Sequence, residues 1–157
     1  MGERGPGYEL PLLLFAAFRA VIDETHAVLA DHGHADLRPM HGFVFQAIGT
    51  GGTTAVELAA RLGVTKQAAG KTITALERQG YLERAADPRD ARAKTVRLTA
   101  RGTEVLALSA RAFDAVQDRW AREIGDDRLD ALREDLRALA PGALFRLDAP
   151  GWFGRAS

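Results

Sequence analysis

The chain has 157 residues, no cysteine, and 21 basic against 21 acidic side chains. That length suits one domain with a substantial core. The missing thiols exclude disulfide scaffolds, cysteine-ligated zinc, thiol nucleophiles and cysteine redox sensors. No stretch reaches the roughly 18 apolar residues of a membrane span. The zero balance hides an asymmetry: residues 1–52 carry three basic and six acidic groups, residues 53–102 ten and five, and residues 103–157 eight and ten. A basic middle third between acidic ends is a local electrostatic footprint, and phosphate binding depends on local charge.

The apolar run 10–18 imitates the core of a signal peptide. However, Glu3 and Glu9 dilute its basic flank and the amphipathic pattern continues past Arg19, so a cytoplasmic helix is expected. Leu10, Leu13, Leu14, Ala17, Val21, Val28 and Leu29 recur at helical spacing to about Ala30, and Gly33 suits its end. His32 and His34 flank that glycine beside Asp31 and Asp36. Such a loop invites a metal reading, but solvated side chains are the expectation and no metal or cofactor is assigned. A second helix is expected from about Arg38 to Ile48, and a flexible connector follows over 49–54.

Two short helical patterns come next. Thr54 with Glu57 three residues on has capping-box spacing, Gly63 suits a left-handed terminus, and Thr65 caps a helix from Lys66 to about Gln79. Gly80 closes it. Residues 81–84 and 94–99 read as strands joined by a turn-rich loop over 85–93. Thr99 caps a long helix to about Ile124 carrying Val105, Leu108, Ala112, Val116 and Trp120. A last helix sets Leu129, Leu132, Leu136 and Leu139 in a coiled-coil-like seam. Beyond Pro141 the tail holds Phe145, Trp152 and Phe153, for which packing on the flanking helices is expected.

In a helix-turn-helix the second helix enters the major groove with a polar face while its apolar face is braced by the first. Ala69, Thr72, Ile73 and Leu76 form the inward stripe here; Thr65, Lys66, Gln67, Gly70, Lys71 and Thr74 form the outward face. Gln pairs bidentately with adenine, and Lys reaches guanine or phosphate. Gly70 costs about 1 kcal/mol of helix propensity, which a close approach to DNA would justify. Arg89 and Arg92 occupy the exposed loop, where narrow minor grooves attract arginine. Asp90 lies two residues from Arg92, near enough to orient it, and Lys94 and Arg97 on the returning strand reach phosphates. Gly70-Lys71-Thr72 is not a nucleotide loop, because Thr65 stands where that motif requires Gly and the segment is helical.

The segment 87–102, with Asp87, Pro88, Arg89, Asp90, Arg92, Lys94 and Gly102, resembles the wing signature of MarR regulators. Residues 58–65 and 76–84 resemble that family's helix-turn-helix. The resemblance implies a mainly α winged helix-turn-helix with a small β-hairpin wing and N- and C-terminal dimerisation helices. It implies a homodimer on a pseudo-palindromic double-stranded DNA operator, with Arg92 in the minor groove and Asp90 as its salt-bridge partner. It also implies a small-molecule effector crevice between the dimer helices and the DNA-binding part. Phe15, Phe18, His41, Phe45 and Trp120 are its candidate lining, with core packing the competing assignment. The recognition helix lacks the serine-rich start many members show, so no operator sequence carries over.

The segments read as dimerisation and support helices over 1–52, the DNA-binding module over 53–102, dimerisation helices over 103–140 and an aromatic tail over 141–157. The function expected is a ligand-responsive transcriptional repressor, dimerised through Leu129, Leu132, Leu136 and Leu139, with no membrane partner. The alternative is a winged-helix protein that binds proteins or small molecules without reading DNA. An enzyme is not expected, since no nucleophile–base pair or phosphate loop is present.

Overall fold

The computed structural model describes residues 5–140, 142 and 144–146. Six helices and three strands follow in the order α1 (Glu9–Asp31), α2 (Pro39–Ile48), β1 (Thr53–Thr54), α3 (Ala55–Leu62), α4 (Lys66–Arg78), β2 (Leu82–Asp87), β3 (Asp90–Leu98), α5 (Ala100–Ile124) and α6 (Asp126–Leu139). The fold is therefore mainly α with a small antiparallel sheet ordered β1-β3-β2. Among the described residues no helix is long and apolar enough to cross a membrane.

The boundaries follow local chemistry. Glu57 N–H donates to Thr54 Oγ1 at 3.2 Å while Thr54 N–H donates to Glu57 Oε2 at 3.0 Å, closing both free donors at the start of α3. Those contacts, the Thr54 backbone bond first, hold the Glu57 carboxyl below its ordinary range. Thr65 accepts from Ala68 N–H at 3.1 Å, and Thr99 from Gly102 N–H at 3.1 Å. Between α3 and α4 the chain reverses at Gly63, whose φ of +69° is left-handed and suits glycine.

Two differences from the sequence reading concern the sheet. The hairpin is longer than expected: strand pairing runs from Leu82↔Leu98 to Ala86↔Lys94 and, after a register shift, to Asp87↔Asp90, so only Pro88 and Arg89 remain as the turn. Alanine and arginine have little strand preference of their own, and here the register set by Leu82, Val96 and Leu98 carries them. The connector after α2 ends in a strand, with Thr53 and Thr54 pairing Val96 and Thr95.

The core gathers Leu29, Val44, Phe45, Ile48, Leu58, Leu62, Ile73, Leu76, Tyr81, Val96, Val105 and Leu108. Phe145 packs against this cluster, and the stem of Arg146 stands over Gly63, 2.8 Å from where a Cβ would sit. The tail aromatic thus returns to the core cluster, to which α1 and α5 contribute Leu29, Val105 and Leu108; Trp152 and Phe153 fall outside the described residues. α1 and α5 pack together and are clamped by Arg119, whose two terminal nitrogens donate to the Glu24 carboxylate at 2.5 and 2.7 Å.

The 33–37 loop is not the solvated histidine loop expected. His34 is buried, with Nδ1 3.1 Å from the Tyr81 hydroxyl and Nε2 3.3 Å from Glu104 Oε2. Tyr81 OH donates to Asp36 Oδ1 at 2.6 Å, and Arg101 Nη2 donates to the same hydroxyl at 2.9 Å. A buried phenol beside a carboxylate is hard to ionise, and burial first, then Asp36, pushes Tyr81 up to about 12.

Two measurements check this packing. A Cβ on Gly102 would lie 2.2 Å from the Tyr81 carbonyl oxygen, so Gly102→Ala should cost about 1–3 kcal/mol, read as a lower urea midpoint at unchanged slope. His41 is buried and its Nδ1 accepts Arg38 N–H at 3.0 Å. Burial, then the charges of Arg38 and His26, lower its pKa to about 4 from 6.5. Between those values the unfolded chain binds a proton that the folded chain does not, so this group makes stability rise with pH from about 4 to 6.5. Removing it in His41→Gln should flatten the denaturation-midpoint profile across that window; an unchanged slope would refute the assignment.

Candidate nucleic-acid interface

The α4 helix divides its surface by period. Ala69, Ile73 and Leu76 are buried in the core, while Lys66, Gln67 and Lys71 are exposed. Gly70 is half-buried, and the position of its absent side chain meets nothing within 4 Å, so another backbone can approach there unobstructed. Thr65, at the N-cap, and Thr74 flank this polar strip.

The hairpin sorts its arginines by strand alternation. Lys94 and Arg92 share a cleft of about 390 Å³ with Lys66, Arg84, Thr54 and Val56, between the start of α4 and the hairpin. Arg84 is tied to α4 from the hairpin side: Nη2 donates to Thr74 Oγ1 at 3.3 Å, and Nε lies 3.5 Å from Glu77 Oε2. Lys66, Arg92 and Lys94 have no ion pair among the described residues. The sequence reading passed over Arg84, although its even spacing from Leu82 could have placed it on the helix-facing side of the first strand.

Arg89 and Arg97 lie elsewhere. Both line a separate cleft with Gly51, Gly52 and Asp87. Arg97 Nη2 donates to Glu83 Oε1 at 3.2 Å. Arg89 pairs with Asp87, whose Oδ1 accepts its backbone N–H at 2.8 Å and faces its Nε at 3.3 Å. The backbone bond first, then the guanidinium, holds the buried Asp87 carboxyl below its ordinary range, and Asp87 in turn raises Arg89.

Asp90 meets Arg92 differently from the expected salt bridge. Its Oδ1 accepts the Arg92 backbone N–H at 2.9 Å, a local Asp turn that fixes the strand's path and leaves the guanidinium unpaired. A short aspartate two residues away reaches the backbone more readily than the end of a long arginine.

The five candidate crevice residues do not converge. Phe45 is fully buried, 5.7 Å from the Tyr81 ring, and Phe18 stacks on Phe43 at 6.2 Å. Phe15 is exposed on α1, and Trp120 is half-buried on α5. His41 lines a cleft of about 460 Å³ between the start of α2 and α4. Along α6, Leu129 is buried within its own chain, so it is not free for a dimer contact, whereas Leu132, Leu136 and Leu139 are exposed.

No curated protein matches the chain by sequence. Residues 35–93 match the model of the MarR family. Among solved structures, a MarR-family transcriptional regulator from Rhodococcus sp. RHA1 aligns over 88% of this chain and 96% of its own, at 21% identity and a TM-score of 0.63. FabT from Streptococcus pneumoniae, solved in complex with DNA, aligns over 85% and 94% at 20% identity and a TM-score of 0.71. CouR from Rhodococcus jostii RHA1, solved with p-coumaroyl-CoA, aligns over 85% and 93% at 23% identity and a TM-score of 0.64. The helix-turn-helix and first wing residues thus match the MarR family, and the fold that encloses them is the fold of solved MarR-family regulators.

Proposed function

We propose that the chain is a sequence-specific regulator of transcription that binds double-stranded DNA as a homodimer and represses by occupying a pseudo-palindromic operator. The observation that carries this is the cleft where Lys66, Arg92 and Lys94 stand without carboxylate partners beside the exposed strip of α4. Unpaired cations on two elements that line one cleft suit a phosphate backbone, and the exposed strip of α4 suits base edges. Gln67 and Lys71 read bases, Gly70 admits the close approach, Thr65 and Thr74 flank it, and Arg92 enters the minor groove. Arg84 joins them as a positioning residue, holding the wing against α4 through Thr74 and Glu77. Arg89 and Arg97, each spent on a carboxylate, contribute less. That FabT was solved with DNA adds support from a relative of the same fold.

The homodimer is supported by apolar surface that one chain leaves uncovered. On α1, Leu10, Leu13, Leu14 and Phe15 are exposed, as are Leu132, Leu136 and Leu139 on α6. Patches of that kind mark association surfaces. A two-fold dimer sets its recognition helices about 34 Å apart, one turn of the duplex.

Selection from a random duplex library, followed by fluorescence anisotropy on the winning site, tests the reading. Arg92→Ala should weaken binding roughly tenfold or more, and Lys94→Ala should lower the salt slope by about one. Arg97→Ala, on the other face of the wing, should leave affinity nearly unchanged. Equal losses from Arg92→Ala and Arg97→Ala would refute this orientation, and no enriched site would refute DNA reading altogether. Leu136→Asp should shift the protein to monomer in sedimentation velocity and lower operator affinity with it.

A further inference from the structure

The α3–α4 turn has a neighbour from the far end of the chain. Only Gly63, Val64 and Thr65 separate Leu62, the last residue of α3, from Lys66, the first of α4. Two backbone bonds close the end of α3: Gly63 N–H donates to Ala60 C=O at 3.3 Å, and Val64 N–H to Ala59 C=O at 3.1 Å. Against Gly63 lies the side chain of Arg146, its Cγ 2.8 Å, its Nε 3.3 Å and its Cδ 3.5 Å from where a Cβ would sit. Phe145, one residue earlier, packs on the core cluster that holds Leu58 and Leu62 of α3 and Ile73 and Leu76 of α4.

Two further observations give this contact weight. The φ of +69° at Gly63 favours glycine, but asparagine also adopts the left-handed region; the space filled by Arg146 Cγ admits neither its Cβ nor any other. The end of α3 also lacks a cation of its own, because Arg61 in its last turn donates to the Ala47 carbonyl of α2. The negative end of a helix favours a cation, and Arg146 brings one, with Nε beside the terminal glycine. Phe145 stands six positions after Leu139, the last residue of α6, so a short length of chain ties the helix carrying exposed Leu132, Leu136 and Leu139 to the turn from which α4 departs.

We propose that Phe145 and Arg146 form a strap over the α3–α4 turn: Phe145 anchors it in the core, Arg146 presses on Gly63, and together they fix the direction in which α4 leaves the turn. Both are positioning residues, and neither is assigned to DNA. The strap stands on the packing alone; its consequence for operator binding rests on the DNA reading above.

Amide hydrogen exchange on the full chain reads the turn directly. Arg146→Ala should speed exchange at Gly63 and Val64 about tenfold and leave Thr99 and Thr103, at the start of α5, unchanged. Arg146→Lys, which keeps the stem and the charge, should restore protection. Unchanged exchange at the turn, or acceleration spread equally over α5, would overturn the strap. Phe145→Ala should speed the same two amides beyond any change in α5; a uniform rise would make Phe145 an ordinary core residue and remove the anchor. A double-mutant cycle isolates the contact with Gly63. Gly63→Asn tolerates the left-handed turn but drives a Cβ into Arg146, so it should lower the urea midpoint, and clearly less so in an Arg146→Ala background; additive effects would refute the contact. In anisotropy on the selected duplex, Arg146→Ala should weaken binding several-fold at an unchanged salt slope, because a positioning residue releases no counterion. A slope lower by about one would make Arg146 a phosphate contact instead, and unchanged affinity would refute the coupling to α4. A protein that binds no duplex would defeat the DNA reading while hydrogen exchange still decides the strap.

Discussion

Tyr81 is the point through which the remaining elements are joined. Its N–H donates to Leu76 C=O at 2.9 Å as α4 ends, its C=O accepts Thr99 N–H at 3.0 Å as α5 begins, and Gly102 is packed against that same carbonyl. Its ring lies against Phe45 and carries the Arg101 guanidinium 4.5 Å above its centre. The hydroxyl has one proton, which goes to Asp36 at 2.6 Å. Arg101 and His34 must then both donate to its oxygen, which requires a proton on His34 Nδ1. One side chain thus links the loop before α2, the end of α4, the first wing strand and the start of α5. Loss of any one partner would strip the others of a contact, so α4 and α5 are held in a fixed arrangement.

The wing inherits its position from that joint. β2 starts one residue after Tyr81, and pairing with β3 carries the hairpin outward for six residues. Distance from the core would leave such a hairpin free to swing, but three contacts restrain it. β1 pairs the far edge of β3, Arg84 ties β2 to Thr74 and Glu77 on α4, and Asp87 closes the turn through Arg89. On the proposed reading the restraint matters, because phosphate binding by two elements is efficient only when their spacing is set before a duplex arrives.

The helices of the DNA-binding module were legible because their ends are written locally. Thr54, Thr65 and Thr99 each cap the helix expected of them, and Gly63 and Gly80 take positive φ at the two turns. What escaped reading is what depends on partners far along the chain. β1 exists because Val96 and Thr95 offer an edge, and the strand over 85–87 exists because β3 pairs it; neither shows in the local sequence. His34 looked like a solvated loop residue, since its burial comes from Tyr81 and Glu104, 47 and 70 positions away. Phe45 and Phe15 looked alike as aromatics on helices, yet one fills the core and the other faces solvent. Helical periodicity marks an apolar face without saying which neighbour covers it.

The zero net charge resolves once each cation in the basic third is followed to its partner. Arg84 faces Glu77, Arg89 faces Asp87, Arg97 faces Glu83 and Arg101 faces Asp36. Arg61 is spent on the Ala47 carbonyl. Lys66, Lys71, Arg78, Arg92 and Lys94 make no ion pair among the described residues, and all five are exposed on α4 or the wing. Glu77, Glu83, Asp87 and, from the first third, Asp36 therefore do more than cancel charge in total: they pair the arginines that build the module and leave unpaired a set of cations that face outward. A surface of this kind keeps the field concentrated at one place, which steers an anionic partner toward α4 without making the rest of the molecule adhere to it.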